Sequence, residues 1–164
     1  MIAGYKLLEI WADGCIVFVA DGGADFLSWG NKSDSKLRIN QLVLIETTYL
    51  FIKFVNDVLA KADPKPDTVL YRAALCRMTV EEPAILFPGN LMHFPHGHQE
   101  AQGSDKDIVI SFTYGTDPRL IAFELVARVY RWFGFDEEKI PYKETTASGK
   151  WIVSPDQIVR SDVQ

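Results

Sequence analysis

All three histidines of the chain lie within six residues, in the segment 91–100. Imidazole is the commonest protein ligand for borderline metals and the usual acid–base group near neutral pH. His96 and His98 would share one face of an extended segment, because side chains two residues apart point the same way. With a nearby carboxylate, the segment offers four donors for a divalent transition metal: His93, His96, His98 and Glu100.

The alternative is a polar loop whose histidines are solvated. The stretch that contains these histidines runs from the end of Pro88-Gly89 through Lys106 without a clear period. A loop of roughly sixteen residues in a compact domain is usually functional or mobile. The rest of the sequence contains no nucleophile elbow, no dinucleotide-binding glycine fingerprint, no complete phosphate loop and no paired CxxC motif. A small metal-binding protein or metal-dependent enzyme is therefore one hypothesis, and it depends on the histidines alone.

Composition and net charge indicate a single globular domain that binds neither nucleic acid nor membranes. The 164 residues suit one domain, 1–164, and 48% hydrophobic with 24% charged residues is typical of a globular chain. The net charge of −5 predicts no direct binding of nucleic acid or of an anionic membrane. No apolar run is long enough to span a bilayer, and the first residues lack the features of a secretory signal. We therefore expect a cytoplasmic protein, with reduced, buried cysteines at Cys15 and Cys76.

The first thirty residues predict three strands. Stretches at Leu7–Ala12 and Cys15–Ala20 flank Asp13-Gly14, which favours a two-residue type I′ turn. Both faces of the second stretch are apolar, which predicts a central strand covered on both sides. A short third strand is expected at Asp25–Trp29.

The longest predicted element is a helix over residues 41–62. Asn40 is a favourable N-cap, and Asp63-Pro64 ends the helix. Polar residues form only a narrow stripe, and apolar residues fill most of the remaining circumference. Such a helix is either central and covered on two sides, or its second side meets another chain.

The second half of the sequence predicts strands at 68–79, 84–87 and 107–114. A second helix begins at Thr116 or Asp117, has Pro118 in its first turn and ends at Gly134. Residues 135–164 predict a partly irregular tail with an edge strand at 151–153. The expected fold class is α+β, an antiparallel or mixed β-sheet with two long helices packed on it in the order βββ-α-βββ-α.

Three stretches carry a resemblance to a known protein class: Asp13–Phe18, Gly22–Gly30 and Leu37–Leu44. Together they resemble the region that follows the Alba-like DNA-binding module in some bacterial regulators. The DNA-binding module itself is not recognisable in this chain. The resemblance implies an accessory or sensory domain of a bacterial regulatory protein, and it transfers no catalytic motif.

These observations favour a non-enzymatic domain for ligand sensing or oligomerisation. The expected partners are a second copy of the chain, as a homo-oligomer, and a small-molecule ligand. No cofactor is expected, except the divalent transition metal of the histidine hypothesis.

The metal hypothesis predicts a stoichiometric metal in untagged protein. Elemental analysis should find about one metal per chain, because a site needs several donors that converge on one point. The double variant His96→Ala/His98→Ala should lose that metal while its circular dichroism stays unchanged. Equal, substoichiometric metal in both proteins would contradict the hypothesis.

Overall fold

A computed structural model describes residues 6–20, 38–76, 84–87, 100–101 and 106–161. Within these ranges the order of elements is βββ-α-ββββ-α-ββ-α, with one 3-10 turn at Glu137–Lys139 before β8. The bounds are β1 Lys6–Ile10, β2 Ile16–Ala20, β3 Arg38–Asn40, α1 Gln41–Leu59, β4 Thr68–Leu75, β5 Ala84–Phe87, β6 Glu100–Ala101, β7 Lys106–Thr113, α2 Pro118–Trp132, β8 Lys143–Thr145, β9 Trp151–Val153 and α3 Pro155–Ser161.

The strands that the structure describes form four small sheets. β1 pairs with β2, β4 with β7, and β8 with β9, all antiparallel. β5 pairs with β3 in parallel and with β6 antiparallel, so that sheet is mixed. The α+β class is confirmed. The predicted order βββ-α-βββ-α with two helices on one sheet is wrong, because the described strands form separate small sheets and a third helix follows β9.

α1 is central in the fold. The Asn40 side chain accepts a hydrogen bond from the Leu42 N–H at 2.9 Å, as predicted for an N-cap. Within α1 only Leu50, Lys53 and Asp57 are exposed. α2 packs along one side of α1, and aromatic side chains of β2 and β4 contact it elsewhere. Other elements of the same chain therefore bury most of the apolar surface of α1.

α2 supplies the other half of the core. The Asp117 carboxylate accepts the Arg119 N–H at 2.9 Å and caps the helix, and Pro118 occupies its first position. Most of its side chains are buried, and they join α1 in one hydrophobic cluster. No described helix combines the length and the hydropathy that a membrane crossing requires.

The C-terminal residues are more ordered than the sequence indicates. Residues 135–164 were expected to be partly irregular, with a single edge strand. Instead, β8, β9 and α3 follow the 3-10 turn, and Ile140, Val153 and Ile158 are buried in the core cluster. Local periodicity is weak in such short elements, so their burial depends on contacts with α1 and α2 that the sequence does not display.

The N-terminal hairpin corrects three expectations. The turn runs from Trp11 to Cys15, with the Gly14 N–H bonded to the Trp11 carbonyl and Gly14 at φ +88°. Within this turn only Gly14 has a positive φ, whereas a type I′ turn needs positive φ at both central residues, so the predicted type I′ turn is wrong. The longer turn also moves the ends of both strands away from the predicted positions. Val19 of β2 is 52% exposed, so the prediction that both faces of this strand are covered is wrong; in the described part of the chain β2 pairs only with β1. The predicted third strand, 25–29, lies outside the described residues.

The cysteines also differ from the prediction. Cys15 lies in the hairpin turn and Cys76 directly follows β4, and both are free and exposed. Cys15 is exposed with the rest of the turn, and Cys76 continues the two-residue period of the exposed side of β4, on which Arg72 and Ala74 also lie.

Leu50 and Ile52, two residues of similar size on α1, test which side of the helix faces the core. Ile52 is fully buried and Leu50 is 52% exposed. We expect Ile52→Ala to lower the free energy of unfolding by about 2–5 kcal/mol, because it removes buried methyl groups and leaves a cavity. Leu50→Ala, the matched control, should change it by less than about 0.5 kcal/mol. Urea titrations measure both values, and equal losses would contradict the orientation of α1.

Candidate functional site

The predicted metal ligands are not brought together by any described contact. His93, His96 and His98 lie outside the described residues. Glu100 begins β6, and its backbone pairs with Ile85 of β5, but its side chain is not described. Among the residues that the structure describes, no group of three or more His, Cys, Asp or Glu side chains is placed to hold a metal ion. The histidine site therefore stays a prediction.

Among the described residues, the β1–β2 hairpin carries the largest group of exposed apolar side chains. We call this group the hairpin surface: Leu7, Leu8, Ile10, Trp11 and Val19, each between 47% and 58% exposed. Leu7 lies opposite Val19 on one face, and Leu8 and Ile10 point to the other face. β1 thus exposes apolar side chains on both of its faces.

The same hairpin is attached to the body of the protein through β2. Ile16 is half-buried against the core, and the Phe18 ring lies 6.0 Å from the Phe51 ring of α1. At the turn, the Trp11 indole N–H donates to the Glu9 carboxylate at 3.1 Å. The polar atom of Trp11 therefore has a partner, while its ring remains open to a contact with another surface.

The β4–β7 ribbon has one buried face and one exposed face. The buried face includes Tyr71 and Ile110, which pack in the core cluster. The exposed face is here called the ribbon surface, and it consists of Leu70, Arg72, Ala74, Asp107, Val109 and Ser111. Leu70 is 66% exposed and Val109 51%. Arg72 holds Asp107 through Nε–Oδ1 at 3.0 Å and Nη2–Oδ2 at 2.8 Å, so this charge pair satisfies itself within one chain.

A second polar group joins α2 to the β8–β9 hairpin. The Arg119 guanidinium donates to both oxygens of Asp117 and, through Nη1, to Glu144 Oε1 at 3.0 Å. The other oxygen of Glu144 accepts the hydroxyl of the buried Ser154 at 3.2 Å. We call these four residues the arginine network. Each charge has an opposite partner, so the network holds secondary structure together and leaves no carboxylate free for proton transfer.

The electrostatics of the arginine network follow from these bonds. The hydrogen bonds from Arg119 lower the pKa of Asp117, since they favour the ionised carboxylate. The same bonds raise the pKa of Arg119. Both side chains remain partly exposed, at 39% and 38%, so solvent screens the pair and limits its contribution to stability.

Burial shifts the pKa of two further side chains, Lys143 and Tyr130. Burial lowers the pKa of Lys143, whose Nζ donates to the carbonyls of Glu138 and Ile140 and lies 5.0 Å from the centre of the Trp151 ring. These contacts fix the 3-10 turn to β8. The Tyr130 hydroxyl is buried without a hydrogen-bond partner in the described part of the chain, and burial raises its pKa.

The sequence analysis did not predict the exposed apolar side chains, because it treated apolar residues in strands as buried. Leu70 shares its strand face with Arg72, and Val109 shares its face with Asp107, so the charged neighbours indicated a face in contact with water. The arginine network had no local signal, because Glu144 and Ser154 reach α2 only through the fold of the C-terminal residues. Asp117 was identified, but only as a helix cap.

Comparisons of this chain with protein families, with curated proteins and with solved structures found no match. The resemblance to the region that follows the Alba-like module of bacterial regulators therefore stays a prediction. Any functional assignment depends on the surfaces described above.

Two substitutions at Asp117 separate its roles as cap and as ion-pair partner. Asp117→Ala removes both and should lower the free energy of unfolding by about 0.5–2 kcal/mol. Asp117→Asn keeps the cap acceptor and should lose only about 0.2–1 kcal/mol at neutral pH.

The Asp117→Asn difference should also depend on pH. The pKa of Asp117 is lower in the folded chain than its ordinary value of 3.8. The ionised carboxylate therefore stabilises the fold above that value, and the advantage disappears as the pH falls through the lowered folded pKa. Denaturation of both proteins from pH 7 to pH 2 measures this. A difference that grows in acid would contradict the assigned ion pair.

Proposed function

We propose that this chain is a non-enzymatic self-association domain, in which a second copy covers part of the apolar surface that a single copy exposes. One observation carries the proposal. Of the eight large hydrophobic side chains that are exposed in the described part of the chain, seven lie on the hairpin surface and the ribbon surface, and the eighth is Leu50.

The unfavourable free energy of apolar side chains in water supports an association role. Apolar area removed from water contributes roughly 25 cal/mol per Å², and clustered apolar side chains with charged neighbours are typical of interaction sites. Single exposed leucines need no explanation, but five large apolar side chains within one short hairpin are a cluster. A second copy is a suitable partner, since a two-fold contact buries the same surface on both chains.

The polar groups support the non-enzymatic part of the proposal. Arg72 is held by Asp107, and Arg119 is held by Asp117 and Glu144. Each of these charges neutralises another within the chain and fixes two elements together. Such pairs fit a structural role better than acid–base chemistry, which needs a group free to exchange its proton with a substrate.

The wider biological assignment is part of the same proposal. The chain would serve as an accessory domain of a regulatory protein in the cytoplasm, as its resemblance and composition predict. Binding of a small-molecule ligand, and the expected lack of direct nucleic-acid binding, stay predictions from the sequence.

Self-association predicts a mass that depends on concentration. Sedimentation velocity should show the 18.5 kDa monomer at low micromolar concentration and a species of twice that mass as the concentration rises. The triple variant Ile10→Lys/Leu70→Lys/Val109→Lys should remain monomeric, because it places three charges within the two surfaces.

The matched control adds the same charges elsewhere. Thr145→Lys/Ala147→Lys/Ser148→Lys changes exposed positions of the β8–β9 hairpin and should associate as the unchanged chain does. Circular dichroism should be equal for all three proteins. A monomer at every concentration for the unchanged chain would refute the proposed function.

A further inference from the structure

The backbone of the β4–β7 ribbon reveals which of its groups face outward. The Tyr114 N–H donates to the Asp67 carbonyl at 2.9 Å, and this pair continues the register in which Thr113 lies opposite Thr68. Hydrogen-bonded and non-hydrogen-bonded pairs alternate along an antiparallel ladder. Counting from Tyr114, the backbone N–H and C=O groups that point away from β4 belong to Asp107, Val109, Ser111 and Thr113.

These outward backbone groups belong to residues whose side chains are also exposed. Val109 is the apolar member of this series, with Asp107 and Ser111 on either side of it. In the part of the chain that the structure describes, β7 pairs only with β4. Unpaired strand edges are templates for another strand, and the one charge in this outward series, Asp107, is already paired with Arg72.

From this edge we infer that two copies of the chain pair antiparallel through β7, with Val109 opposite Val109 of the second copy. The inference rests on the proposed self-association and names its contact. In this register each Asp107 lies opposite Ser111 of the other copy, so a hydroxyl can donate to a carboxylate on both sides of the central valine pair. Valine pairs are favourable across strands, and the two ribbons join into one four-stranded sheet.

The other edge of the ribbon is less suited to self-pairing. On β4 the outward backbone groups are those of the even-numbered residues, with Leu70 and Arg72 at the centre. Pairing centred on Leu70 would place Ala74 opposite Pro66, which has no N–H to donate. Pairing centred on Arg72 would oppose two guanidinium groups, and like charges directly opposite each other are destabilising. A β7 contact avoids both problems.

Cysteine crosslinking tests the register directly. The native thiols of Cys15 and Cys76 are exposed, so the background is Cys15→Ser/Cys76→Ser. Directly opposite residues in a hydrogen-bonded pair are about 5.5 Å apart at Cα, within the range that a disulfide spans. With copper phenanthroline as oxidant, Val109→Cys should shift to twice the monomer mass on a non-reducing gel, and reductant should reverse the shift.

Ser111→Cys is the matched control on the same strand. It should stay at the monomer mass, because the two Ser111 positions would be four residues, about 14 Å, apart along the strands. A mixture of Asp107→Cys and Ser111→Cys chains should crosslink, since these positions face each other. Together the three results support the register centred on Val109.

Other outcomes overturn the inference. Crosslinking of Leu70→Cys but not of Val109→Cys would assign the contact to the β4 edge. Crosslinking of Val109→Cys only with Ser111→Cys would show a different register. No crosslink in a chain that sedimentation shows to be dimeric would exclude the β7 contact and leave self-association intact, whereas a monomeric chain would refute the proposed function itself.

Discussion

The packing of α1 against α2 is the interaction on which the rest of the structure depends. The fully buried side chains of both helices, such as Ile45, Ile52 and Val126, belong to one cluster. As far as the structure describes them, the sheets are too small to form a core alone: three have two strands and one has three. Isolated two-stranded hairpins are marginally stable in water, so each sheet needs the helix pair as its support.

This dependence explains where the chain exposes apolar surface. A two-stranded ribbon can bury only one face against the helices, and its other face and edges stay in water. β4–β7 follows this rule, with Tyr71 and Ile110 inside and Leu70 and Val109 outside. The β1–β2 hairpin touches α1 mainly through Phe18, so β1 is left exposed on both faces. A second copy paired at the β7 edge would extend this ribbon to four strands.

The sequence predicted the features that depend on local chemistry. Asn40 and Asp117 cap α1 and α2 as expected, and the bounds of β5 and β9 were correct. It did not predict the parallel pairing of β3 with β5 or the ordered residues after α2, because both depend on contacts between distant segments. The exposed side chains were missed because a hydrophobic residue in a strand pattern does not reveal whether a second sheet covers it. The histidine segment was the strongest chemical signal, and it lies outside the described residues.

Amide hydrogen exchange at several protein concentrations reports on the backbone groups that a second chain would cover. Pairing of two chains through β7 should slow exchange at Val109 and Ser111, whose N–H groups point away from β4, as the concentration rises. Amides of the β8–β9 hairpin should exchange at the same rate throughout. Equal rates at Val109 and Ser111 at every concentration would show that no second chain covers this edge.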